Sequence, residues 1–282
     1  MFEFVVVDNF TTKRFPSLFG LSGARFEIIE GDVTQVLTPK LVESADVVVH
    51  LAAIADPELS IAKPSEVHEH NFKMTQQVID ACFETGVPLV FPSSTSVYGG
   101  NDPATIEEVE TPRPHTPYAK CKLAEEQAIL AAVNEGLLSA ILRFGTIFGP
   151  SPGMRFHTAV NRFCWQAATG SPVSIFRTAM YQLRPYLAVE DASEALTHTI
   201  LGTHYECKPV NVATCNVTVA EIIYELRQIV PGLVVKEIDS PAMNEDSFGV
   251  STSFATALGY TFGGNMSNGI RDTMNLLAGL RP

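Results

Sequence analysis

Short apolar runs recur between longer stretches of helical character, and this alternation limits the folds open to the chain more than any other feature. The runs cover residues 4–7, 26–29, 47–51, 87–91 and 138–143. They are near-continuous rather than alternating, so each reads as a strand covered on both faces, the habit of parallel sheets. The longest apolar stretch, residues 47–55, is far too short to cross a bilayer. A helix is expected from an N-cap at Ser65 to Thr85, closed by Gly86, and another from Tyr118 to Asn134, stopped by Gly136. A shorter helical stretch falls near residues 37–43. Strands alternating with helices define an α/β, Rossmann-like doubly wound parallel sheet. Beyond about residue 150 the pattern loosens into shorter elements, as in a lobe assembled from separate pieces.

Charge narrows the partners. The 282-residue chain carries a net charge of −12, which argues against nucleic acid and anionic membrane. The N-terminus shows no basic segment followed by a cleavable apolar stretch, and a cytoplasmic protein is expected. Cys82, Cys121, Cys164, Cys207 and Cys215 form no Cys-x-x-Cys and no cluster with histidine, so reduced thiols are expected. His68-Glu69-His70 suggests a metal only superficially. Positions i and i+2 of a helix do not face each other, and a solvated face with no metal is the expectation.

The chemistry concentrates around Tyr118 and Lys122. Four residues apart in a helix, their side chains share a face. A lysine beside a tyrosine stabilises the phenolate and is expected to lower its pKa, making it an acid/base near neutral pH. Upstream, Ser93-Ser94-Thr95-Ser96 ends the strand-like run 87–91, and Ser94 can share the proton of a substrate hydroxyl or ketone. Thr116-Pro117 signals helix entry just before Tyr118. Strand end, serine, then tyrosine at the next helix start is where open α/β sheets gather ligand chemistry. The arrangement suits alcohol/carbonyl interconversion.

From residue 136 to 189 there is no Asp, Glu or Lys, where the chain's average would place about six carboxylates. Apart from His157, the charged residues there are Arg143, Arg155, Arg162, Arg177 and Arg184. Arginine-only cations suit a phosphorylated anion, because guanidinium offers bidentate contacts to phosphate oxygens. At least two are expected to face a diphosphate, and others to pair with carboxylates elsewhere in the fold.

Motifs spread along most of the chain carry a family resemblance. They are Val5-Val6-Val7-Asp8-Asn9-Phe10, Gly31-Asp32-Val33, His50-Leu51-Ala52-Ala53, Asn71, the segment from Phe91 to Gly99, and Thr116-Pro117-Tyr118 with Lys122. Leu142-Arg143-Phe144, Phe148-Gly149-Pro150, Arg184-Pro185-Tyr186-Leu187, Asp191 and Asn211-Val212 continue the pattern. The chain resembles the extended short-chain dehydrogenase/reductases, in their NAD-dependent nucleotide-sugar epimerase/dehydratase branch. The resemblance implies a dinucleotide-binding part at residues 1–148 and 183–213, and a nucleotide-sugar region at 149–182 and 214–282. It implies NAD as cofactor, with Asp8 on the adenosine ribose, Asp32 at the adenine edge, and Leu51, Ala52 and Ala53 walling the cofactor. A carboxylate at Asp8 disfavours a 2′-phosphate and hence NADP. Catalysis falls to Ser94, Tyr118 and Lys122. The nucleotide-diphosphate sugar falls to Ser94, Thr95, Ser96, Thr146, Arg155, Arg162 and Arg184, with Arg143 buttressing the sheet. A homodimer is expected.

Two departures from the family pattern carry information. Dehydratases of this kind resemble Thr-Asp-Glu-Val-Tyr where this chain has Thr95 and Ser96. Neither residue can relay protons as a carboxylate, so epimerisation at C4 through a 4-keto intermediate is the leading reading. A reductase or dehydrogenase on a nucleotide sugar, or a non-catalytic binding protein, are the alternatives. The second departure is the absence of the Gly-x-x-Gly-x-x-Gly turn that cradles a cofactor pyrophosphate. The sequence opens on what looks like the family's second strand, so the first βα unit, roughly 30 residues, is expected to be missing from it. A misplaced start or a clipped chain is the expected explanation, ahead of natural loss, and weak NAD binding by this chain is expected to follow.

Overall fold

The computed structural model describes residues 2–55, 57–100, 105–202, 205, 208–239 and 247–280. Its first half runs β1 (Glu3–Asp8), β2 (Arg25–Glu30), α1 (Val33–Val36), α2 (Pro39–Glu43), β3 (Val48–Val49), α3 (Pro57–Ala62) and α4 (Pro64–Thr85). Then come β4 (Leu89–Ser94), β5 (Thr105–Ile106), α5 (Pro117–Asn134), β6 (Ser139–Phe144), β7 (Thr146–Phe148) and α6 (Ala159–Ala168). The remainder comprises β8 (Val173–Phe176), β9 (Leu183–Ala188), α7 (Val189–Leu201), β10 (Val210–Val212) and β11 (Cys215–Thr218). It closes with α8 (Val219–Ile229), β12 (Val235–Ile238), β13 (Gly249–Val250), α9 (Ser253–Ala257) and α10 (Met266–Leu276).

The apolar runs form parallel strands, in the order β10-β6-β4-β3. Leu89, Val90 and Phe91 in β4 and Ile141 and Leu142 in β6 are fully buried, which is why these segments show no alternation. Helix α4 packs against α5 on one face of this sheet, while α7 covers the other. β1 and β2 pair in parallel as a separate ladder, with no strand hydrogen-bonded between it and β3 among the described residues. A doubly wound sheet without its central strand would be arranged in this way. The isolated pair carries partly open apolar side chains, among them Phe4, Val5, Phe26 and Ile28, and Phe4 stacks on Phe26 at 5.2 Å.

A third apolar cluster, built from α6, α8, α10, β8 and β9, gathers most of the shorter elements after residue 147. Asp191, buried in the first turn of α7, accepts the backbone N–H groups of Gly263 and Gly264 and the Thr214 hydroxyl, tying this part of the chain to the sheet.

Two boundaries differ from the sequence expectation. Helix α4 begins at Pro64, not at a Ser65 cap, because proline presets the helical φ and sacrifices an N–H that has no partner in a first turn. The 47–51 run pairs only at Val48–Val49. Gly86 and Gly136 lie after their helices with φ of 72° and 117°, as helix-ending glycines should. Cys82, Cys121, Cys164 and Cys215 are free thiols; Cys207 lies outside the described residues. His68 stacks on Phe72 while His70 faces Asp32 at 3.3 Å, so the two histidines diverge. No metal-binding cluster occurs among the described residues.

Candidate active site

The site starts where β4 ends. Ser94 caps the 3-10 turn Thr95–Val97, and its Oγ accepts from the Ser96 N–H at 3.2 Å and the Ser96 hydroxyl at 2.8 Å. Its own proton is thereby left to donate elsewhere. Thr95 is buried and donates to the Phe144 carbonyl, so this side chain is engaged with the sheet. Helix α5 packs against this turn. Thr116 caps α5 by accepting the Ala119 N–H at 3.2 Å, and Pro117 takes the first helical position. Capping fixes the start of the helix, which puts Tyr118 in its first turn and Lys122 one turn on, on the same side.

Lys122 is buried with a partner that sequence reasoning missed. Its Nζ lies 3.1 Å from Glu125 Oε2, and it sits over the Phe91 ring at 4.5 Å. Glu125 Oε1 accepts from Thr75 Oγ1 at 2.8 Å, and Thr75 meets His50 Nε2 at 3.0 Å. A buried chain thus runs from Lys122 through Glu125 and Thr75 to His50. The clue in the sequence was a carboxylate three residues after Lys122, on the helix side that carries the chemistry.

This carboxylate corrects the expectation for Tyr118. Burial raises the Tyr118 phenol; Lys122 pulls it down as anticipated, Glu125 pushes it up, and the net shift is upward. The phenol of the protein alone is an acid at neutral pH, not a ready phenolate. Burial also opposes the Lys122 ammonium, but Glu125 and Tyr118 outweigh that and hold it above its ordinary value. His50, buried and near Lys122, is driven down to about 3 and stays neutral.

The cofactor-side residues meet at the carboxyl ends of β1 and β2. Asp8 is exposed, and among the described residues its side chain accepts the Phe10 N–H alone, through Oδ1. Asp32 caps α1, accepting from Thr34 N–H at 2.9 Å and Thr34 Oγ1 at 2.6 Å; Asn9 reaches it from the Asp8 side. Those Thr34 bonds hold its carboxyl below the usual range, against burial. Leu51 is 63% exposed after β3, with Ala52 and Ala53 partly buried beside it. Buried Asn71 holds the next turn by bonding both N–H and C=O of Ile54. An open carboxylate beside partly exposed apolar side chains is chemically suited to a ribose and the flat base it carries. The pyrophosphate finds no glycine-rich turn in this sequence.

The arginines divide. Arg143 is structural: fully buried, it binds Glu126 with Nε at 3.0 Å and Nη2 at 2.7 Å, and donates to Tyr98 OH at 2.9 Å. Tyr98 in turn donates to Asn211, and Ser93 to Glu126. Arg177 pairs with Glu237 and Asp239 on the surface. Arg184 in β9 lies over Phe248. Arg162 lies over Phe163 and Phe176, with a buried Nε that has no hydrogen-bond partner among the described residues. The charge of Arg155 adds a small pull towards the Tyr118 phenolate. Thr146, in β7 opposite Tyr186, is exposed.

Partly buried Ser94 and Tyr118 thus lie with buried Lys122 around the end of β4, and comparison with known proteins gives the family. The chain belongs to the NAD dependent epimerase/dehydratase family, whose model matches residues 2–213. It is 30% identical over 210 residues to a UDP-glucose 4-epimerase of Azospirillum brasilense, covering 68% of this chain and 59% of that one. An uncharacterized UDP-glucose epimerase, YtcB of Bacillus subtilis (strain 168), is 29% identical over 195 residues, with coverages of 67% and 59%. The chain thus spans less than two thirds of the length of these curated relatives. In structure it is similar to a Bacillus cereus UDP-glucuronic acid 4-epimerase solved with UDP-glucuronic acid and NAD. That match has a TM-score of 0.86 at 24% identity over 98% of this chain and 91% of the other, a likeness of fold. No helix among the described residues is long and apolar enough to cross a membrane.

Proposed function

We propose that this site epimerises a nucleotide-diphosphate sugar at C4 through a 4-keto intermediate. The observation that carries the reading is the Tyr118–Lys122 couple held against the Ser94 turn at the end of β4. When bound, NAD supplies the hydride acceptor for the sugar carbon. In the loaded site Tyr118 acts from its phenolate form, taking the proton of the 4-hydroxyl and later returning it. Ser94 donates to the reacting oxygen, and Lys122 with Arg155 favours the phenolate against burial and Glu125. Arg184 and Arg162 supply cations for the sugar's diphosphate. Thr95 bonded into the sheet, and Ser96 bonded to Ser94, leave that turn without an acid for eliminating water, which supports epimerisation over dehydration.

The test is incubation of the chain with NAD and UDP-glucose, UDP-glucuronic acid or UDP-N-acetylglucosamine, followed by chromatographic separation of C4 epimers. Tyr118→Phe should lower the rate by roughly 10²–10⁴ with the fold intact. Retention of more than about a tenth of wild-type rate would remove Tyr118 from the mechanism. Net accumulation of reduced cofactor would instead mark a dehydrogenase. Tight nucleotide-sugar binding with no product would instead mark a nucleotide-sugar-binding protein without turnover.

A further inference from the structure

Three ionisable side chains share one stripe of α5. Tyr118, Lys122 and Glu125 stand at i, i+4 and i+7, the spacing that lines one side of a helix. Lys122 and Glu125 are buried, with the ammonium 3.1 Å from Glu125 Oε2. Oε2 has no aligned hydrogen bond among the described residues, so it holds the lysine as an ion pair. The other oxygen is fixed from α4. Oε1 accepts from buried Thr75 at 2.8 Å, and Thr75 meets His50 Nε2 at 3.0 Å. A hydroxyl has one proton, and that of Thr75 goes to Glu125. Thr75 therefore accepts from His50, whose Nε2 carries the hydrogen. The chain of donors runs one way, from His50 through Thr75, and ends on the Glu125 carboxylate.

One buried ammonium balances one buried anion, and a second anion without a partner is costly. The Glu125 carboxyl and the Tyr118 phenol compete for that place. The carboxyl is by far the stronger acid, with an ordinary pKa of about 4.3 against about 10 for the phenol. It also has the Thr75 donor, so it takes the negative charge and leaves the phenol its proton. The other groups around the cluster do not alter this count. His50 stays neutral, and burial pushes the Cys121 thiol up to about 11. Glu126 is closed on Arg143, β4 presents the uncharged Phe91 ring, and Arg155 adds a small pull towards the phenolate.

We propose that Glu125 is a positioning residue that acts as counter-ion to Lys122 in place of Tyr118, oriented for that role by Thr75 and His50, so that the empty site rests in its acid form. Its bearing on turnover rests on the acid/base reading of Tyr118; the assignment of the counter-ion does not.

Tyrosinate absorbance of the full, ligand-free chain against pH tests this, each protein being read as the difference from its own Tyr118→Phe partner. The wild type should show no Tyr118 step below about pH 10. In Glu125→Gln, which keeps an oxygen for Thr75, the step should fall by about 1–3 units, the range a neighbouring charge commands. Glu125→Asp, which keeps the charge, should hold the step above that of Glu125→Gln. Thr75→Val should lower it by less than Glu125→Gln does, since the carboxylate loses a donor and not its charge. In turnover, the acidic limb of kcat/KM should reach to lower pH in Glu125→Gln, because the base form is present there. A purely structural Glu125 would cost stability and leave the step in place. An unmoved step in folded Glu125→Gln overturns the proposal, as does an unmoved step in Thr75→Val where Glu125→Gln does not fold. A lowered step in a chain that epimerises no nucleotide sugar upholds the counter-ion and refutes the epimerase reading instead.

Discussion

Replacing Lys122 by methionine separates the two things this lysine does. Lys122 is 5% exposed, and its ammonium lies 3.1 Å from Glu125, itself 1% exposed. At an effective dielectric of about 20, a pair at that distance attracts by about 5 kcal/mol, set against the cost of removing both charges from water. Lys122→Met leaves the Glu125 carboxylate buried with one neutral donor, Thr75. Breaking one side of such a pair costs about 3–5 kcal/mol. Adding Glu125→Gln removes the stranded charge while keeping an oxygen for Thr75, and should restore most of the loss. Activity should follow a different course. Lys122 is the strongest influence favouring the Tyr118 phenolate, so the single and double variants should both lose turnover, with the acidic limb of kcat/KM moved to higher pH. Urea unfolding gives the stabilities, and the pH profile gives the chemistry. A loss below about 1 kcal/mol in Lys122→Met would refute the reasoning, as would a double variant no more stable than the single one.

Acid should unfold the protein through His50: its folded pKa of about 3 lies below the ordinary 6.5, so the unfolded chain binds the extra proton between those values. Stability is therefore fully present near pH 7 and falls by up to about 1.4 kcal/mol per pH unit below about pH 6.5, a slope that urea unfolding at stepped pH should lose in His50→Gln. Arg143→Met should cost about 3–5 kcal/mol by stranding the Glu126 carboxylate, with the double change to Arg143→Met/Glu126→Leu recovering most of it in the same assay. Arg184→Ala should weaken a nucleoside diphosphate by about 1.5–3 kcal/mol in calorimetry, and unchanged affinity would make the arginine structural. Gly99→Ala should destabilise by more than about 1 kcal/mol in thermal unfolding, because Gly99 has φ of 55° and a Cβ there would strike the Arg113 carbonyl.

The periodic part of the sequence was the legible part. Strands whose apolar residues are buried on both faces, such as Leu89 to Phe91 and Ile141 to Leu142, announce themselves because nothing polar interrupts them. The spacing of Tyr118 and Lys122 places both on one helix side, and the turn after Ser94 follows from the strand end. Hidden from that reading was everything that depends on distant residues meeting. Glu125 looks like one of two adjacent helix carboxylates, yet one closes on Lys122 and the other on Arg143, a choice made by packing of α5 on β4 and β6. The direction of the Tyr118 shift followed burial, a quantity no local spacing contains. Arg14 sits 139 residues from its partner Gly153, so that contact could come only from the fold.

Isotope retention tests the central claim most directly. UDP-glucose deuterated at C4, incubated with the full chain and saturating NAD, should yield the C4 epimer with its deuterium retained, because the hydride leaves and returns to one carbon within the closed site. Absence of the epimer, or deuterium appearing in released reduced cofactor alongside a keto sugar, would contradict it.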